Sequence, residues 1–175
     1  MAKIRKMLGS ANSPYIISLM HLIETQSKPT LCRWCIDYVR THYLPLYEAA
    51  CPGDERPHQA LAAAEAHLAG QLKFPAVKQH ILAVHTAARE MEDRPAVQAT
   101  ARAIGQALST LHSATHCLGM AFYGAAAAAY HQVGLTASPE TYDRLAAAEC
   151  ANMETALQAI AVEGEPHPAK LNWNC

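Results

Sequence analysis

The chain has 175 residues and carries 14 Lys and Arg against 15 Asp and Glu, for a formal charge of −1 at pH 7, with 51% hydrophobic residues but only two Phe. This length allows one domain to bury a sizeable core without disulfides or metal. The near balance of charge, with no run of five or more like charges, argues against nucleic acid as a partner, since such a surface needs a basic patch or stripe.

Alanine supplies much of the hydrophobic fraction while Val and Ile are scarce, which favours helix over strand. Proline and glycine divide the chain into six helical segments, each start offering a cap or a first-turn proline. The first follows Asn12, Ser13 and Pro14, with Tyr15, Leu19, Leu22 and Ile23 at helical spacing. Pro29 opens the second, reaching about residue 50, with Leu31, Trp34, Cys35, Tyr38 and Val39 as its apolar face. Pro45 must kink or end it, because proline lacks the amide proton and clashes with the preceding turn.

Asp54 is placed to cap the third helix, from about Pro57 to Leu68, and Gly70 to stop it. Pro75 opens the fourth, whose Val77, Ile81, Val84 and Ala88 mark one face. Pro95 opens the fifth, a single pattern to Val133 that exceeds the usual helix length, so a kink near Gly105, His112 or Gly119 is expected. Ser138 and Pro139 start the sixth, which Gly164 ends, and residues 165–175 read as an irregular tail. The expected fold is all-α: a single-domain bundle of about six helices spanning residues 1–175, the fifth long and kinked.

The longest weakly polar run, residues 117–130, is shorter than the roughly 20 residues of a spanning helix, and MAKIRKMLGS lacks the apolar stretch of a secretion signal. No membrane partner and a cytoplasmic location are expected. Cysteines at 32, 35, 51, 117, 150 and 175 then read as reduced thiols.

At about 100° per residue, Arg102, Gln106, Ser109, Ser113 and His116 share one narrow sector of the fifth helix, with His112 at its edge and Ile104, Leu108, Leu111, Leu118 and Phe122 opposite. A solvated face is the ordinary account of such a stripe. This one lacks Lys and Glu and runs into GMAFYGAAAAAY, apolar nearly all round, so a groove leading inward is the competing reading. His85 and Arg89 on the fourth helix could line the same groove, Arg holding an anion and His moving a proton.

His112 and His116 stand at i and i+4, but Ser113 occupies the place a zinc-protease motif gives to glutamate, and no spacing supplies a third ligand. No metal and no cofactor are expected. The CxxC at residues 32–35 has no second copy and no strand before its helix, so core packing accounts for it better than redox or zinc chemistry. Ser109 and Ser113 each precede a histidine by three residues, without a glycine-rich elbow or oxyanion-hole motif.

The phrases KMLGSANSPYIISLMHLIETQSKPTLCRWCIDY, HILAVHTAARE and ARAIGQALSTLHSATHCLGMAFYGAA, with the ending AVEGEPHPAKLNWNC, closely resemble the bacterial immunity proteins described as immunity-protein-5-like, of polymorphic toxin systems. The resemblance covers nearly the whole chain and rests on phrase similarity rather than a catalytic signature. It implies an α-helical protein that neutralises a toxin by binding it, without catalysis. Within it, Ile104–Gln106 and His112–His116 are the distinctive phrases. Two readings therefore stand beside a toxin-binding module: a small-molecule or metal-binding protein, or an enzyme, using the stripe, and a homodimer packed through the small residues from Gly119 to Ala129.

Overall fold

A computed structural model describes residues 4–172 of the chain. Eight α-helices make up its regular structure: α1 (Pro14–Ile23), α2 (Lys28–His42), α3 (Leu44–Ala50), α4 (Arg56–Leu68), α5 (Phe74–Glu90), α6 (Pro95–Ser109), α7 (His116–Val133) and α8 (Pro139–Gln158). Among the described residues the only β pairing is an isolated antiparallel bridge between Ser27 and Pro168. The all-α expectation holds; the count differs because two of the six expected helices are each divided.

The second expected helix stops at His42, and Pro45 becomes the second residue of α3, where its missing amide proton costs nothing. The fifth does not kink but reverses. Its break falls at residues 110–115, around His112, and α6 and α7 fold back on each other as the most extensive helix pairing of the molecule. Ser109 Oγ donates to Gly105 O at 2.7 Å and Thr110 Oγ1 to Ala107 O at 2.5 Å, while Leu111 and His112 switch to i−3 amide bonds. Hydroxyl side chains that bond back to the helix compete with its continuation, and four of residues 109–113 are Ser, Thr or His.

The expected faces of α2 and α5 are buried in full, whereas in α1 Ile16 joins Leu19 and Ile23 inside. Tyr15 and Leu22 sit at the margin, with Tyr15 OH donating to Asp143 of α8 at 2.9 Å. Ser138 caps α8 by accepting the Thr141 amide at 3.2 Å, and α8 ends at Gln158, ahead of Gly164. Asp54 Oδ1 accepts the Arg56 amide at 3.2 Å at the start of α4. The Arg56 guanidinium also pairs with this carboxylate and, with the Tyr47 hydroxyl, holds its pKa down at about 2.

Helix α6 is the centre of the bundle, packing on α2, α3, α4, α5 and α7, and α7 joins it to α8. Cys117, Met120, Ala121, residues 124–127 and Ala129 are all buried, so small side chains admit α6 on one side and α8 on another. Much of the small-residue stretch thus packs within the chain. Across α2 and α8, Trp34 Nε1 donates to Met153 O at 3.0 Å, and Glu149 Oε1 accepts Tyr38 OH at 2.8 Å and Tyr43 OH at 2.5 Å.

The tail is irregular as far as it is described, residues 173–175 lying outside the described residues, yet it is tied down. Glu165 accepts from the Ser27 amide at 2.7 Å, Ser27 Oγ at 2.8 Å and Thr30 Oγ1 at 2.6 Å, placing a carboxylate on the positive end of the α2 dipole. Cys32, Cys35, Cys51, Cys117 and Cys150 are free and buried. Burial pushes the thiols of Cys32 and Cys35 up and those of Cys117 and Cys150 to about 12, so they stay protonated and pack as small apolar groups.

Candidate functional site

The division of the long helix rearranges the stripe. Arg102, Gln106 and Ser109 remain on α6, His112 and Ser113 lie in the turn, and His116 opens α7. The turn folds His116 back over α6 rather than extending a line of polar side chains. A groove with a cavity of about 140 Å³ results, lined by Phe74, Lys78, Ile81, Leu82 and His85 from α5 and by Ser109, His112 and His116.

Two glycines let the polar side chains lie flat against neighbouring helices. A Cβ on Gly105 would stand 2.7 Å from His85 Cε1, so the missing side chain is what admits the imidazole against α6. A Cβ on Gly119 would stand 2.3 Å from Gln106 Oε1, so the Gln106 amide crosses onto α7, where it accepts from His116 Nδ1 at 2.8 Å. An amide oxygen only accepts, so His116 carries its proton on Nδ1.

Ser109 Oγ gives its one proton to Gly105 O, leaving only lone pairs for His85 Nε2 at 3.4 Å. His85 therefore faces Ser109 as a donor, not as a base, and the pair is not arranged to activate a nucleophile. Burial, then Arg102, His116 and Arg89, push the His85 pKa down; burial, then His112, push His116 down. Both imidazoles are neutral at pH 7, and Lys78 brings a positive charge to the groove.

His112 is exposed and stacks on Phe74, ring centroids 5.8 Å apart and planes 17° from parallel, while its carbonyl accepts from Lys28 Nζ at 3.0 Å. Four expected residues stand apart from the groove lining, Gln106 among them, bonded to His116 Nδ1 from beneath. Ser113 makes its contacts through the turn backbone. Arg89 is exposed and donates to Thr86 Oγ1 at 2.7 Å. Arg102 stacks over the Tyr123 ring, 5.7 Å from its centroid, and opens into a different cavity.

Phe74, Lys78, Ile81 and Leu82 escaped sequence reasoning, which assigned α5 an inward face and added only His85 and Arg89. The signal was present as the spacing 74, 78, 81, 85, a second helical stripe that begins at one of the chain's two Phe. Among the described residues no three His, Cys, Asp or Glu side chains converge as a metal-binding group, and no helix is long and apolar enough to cross a membrane.

A family model described as "Imm-5 like putative immunity protein" matches residues 21–156, well over half of the chain, and the chain belongs to that family. Comparison with curated proteins and with solved structures finds no match.

Proposed function

We propose that the chain acts in the cytoplasm as a single-domain immunity protein that neutralises a protein toxin by binding it, without catalysis, through the groove between α5 and the α6–α7 turn. Family membership supports the general kind of function. The observation that carries the choice of surface is the Phe74–His112 stack beside Leu82, which is 48% exposed: an apolar, aromatic edge at a turn whose position is fixed by Thr110, Gln106 and Lys28.

The size of the groove fits this reading. At about 140 Å³ it takes one large side chain of a partner, whereas small-molecule sites enclose roughly 300–1,000 Å³. His85 and His116 are neutral and the Ser109 hydroxyl is bonded inward, so docking would bury apolar and aromatic surface with few charges to desolvate. Such clusters, seated on a rigid scaffold, carry most of the energy of protein interfaces.

The test is protection. Cells expressing a toxin that the wild-type chain neutralises should lose protection when the chain carries Leu82→Asp or Phe74→Ala, with its helicity and melting temperature unchanged. Retained protection would move the interface elsewhere on the surface.

A further inference from the structure

A second cavity, of about 210 Å³, lies where the segment at residues 4–6 crosses the start of α6. Arg5, Lys6 and Arg102 line it together with Gln98, and Glu92 is its one carboxylate. Among the described residues none of the three cationic side chains has an ion pair or a side-chain hydrogen bond, and Glu92 pairs with none of them.

Arg102 is the informative member. One face of its guanidinium is taken by Tyr123, and its Nε is buried without a hydrogen-bond partner. Buried charged donors are normally bonded, so a guanidinium held by stacking alone at the lining of a basic cavity is a group prepared for an acceptor. Gln98, which also lines the space, has its own amide committed to Ala88 O at 2.9 Å. Three cations against one carboxylate leave an excess of two positive charges, which matches a dianion better than a single carboxylate. The cavity also borders the first turn of α6, whose dipole adds to the same sign.

We infer that this cavity binds a phosphate group, free or as a terminal ester, between Arg5, Lys6 and Arg102. Arg102 supplies the directional donors and the other two supply charge. The site is separate from the groove, and either can fail without the other.

Calorimetric titration of the full chain with inorganic phosphate at pH 7.5, repeated with glycerol phosphate and with acetate at equal ionic strength, tests this. One-to-one binding of a phosphate compound is expected, with a matching rise in melting temperature and no such response to acetate. The tighter of the two phosphate compounds distinguishes a free ion from an ester. Arg5→Gln combined with Lys6→Gln, both at exposed positions, should fold normally and weaken binding by about tenfold or more, as should Arg102→Gln. Equal responses to phosphate and acetate, or phosphate binding unchanged in the double variant, would overturn the assignment.

Discussion

The side-chain amide of Gln106 occupies the space that a side chain on residue 119 would take, and from there it accepts the Nδ1 proton of His116 at 2.8 Å. One contact thus ties three residues of two helices and sets how closely α6 and α7 approach beneath the groove. Gly119→Ala should gain up to about 1 kcal/mol of helix propensity yet lose more by driving Gln106 off His116, for a net destabilisation of about 1–2 kcal/mol. Adding Gln106→Ala removes the clash, so the double variant should be more stable than Gly119→Ala alone. Urea unfolding measures both, and additive losses would show that the two positions do not meet.

His85 and His116 have pKa values lowered by burial in the folded chain. As pH falls, the unfolded chain takes up protons first, beginning near the ordinary imidazole value of about 6.5. Stability should therefore be level above that pH and decline below it, the full loss being reached beneath the folded values. A lower urea midpoint at pH 5.5 than at pH 7.5 is expected, with a smaller decline in His85→Gln. The Asp54 carboxylate, held at about 2, stays ionised throughout this window and does not confound it.

Glu149 receives the hydroxyls of both Tyr38 and Tyr43, joining the end of α2 to α8. Glu149→Ala removes the carboxylate acceptor that two buried phenols share and should cost about 1–3 kcal/mol in chemical unfolding. Tyr38→Phe placed in that background should recover part of the loss, because it removes a stranded hydroxyl. No recovery would mean that the cost comes from packing.

The tail is latched by Glu165 on Ser27 and Thr30. Hydrogen exchange of Glu165→Ala should show faster exchange at residues 166–172 and at the first turn of α2, with α6 and α7 unchanged. Unaltered exchange in the tail would assign its position to the Ala169 and Asn172 amides, which donate to Gln26 O and Thr115 Oγ1.

Much of this architecture is legible in the sequence, and the residues show why. Prolines at 14, 29, 45, 75, 95 and 139 sit at helix starts because only the first turn tolerates a missing amide proton, so boundaries are written locally. The faces of α2 and α5 follow from apolar spacing alone. The reversal at residues 110–115 does not, because the apolar pattern of Ile104, Leu108, Leu111 and Leu118 continues in helical register through the turn. What breaks the helix is side-chain bonding by Ser109 and Thr110 and the gain from packing α6 on α7, a tertiary effect. The candidate site shares that fate: His85, Ser109, His112 and His116 do meet in the groove, whereas Arg102 and Ser113, collinear with them on an unbroken helix, are carried elsewhere.

Binding of the purified chain to a toxin it neutralises is the most direct test, comparing wild type with Leu82→Asp at a side chain that is 48% exposed. At least about a tenfold loss of affinity is expected, the scale of a central interface residue, with an unchanged melting temperature and a parallel loss of protection in cells. Wild-type affinity in a normally folded Leu82→Asp would contradict it.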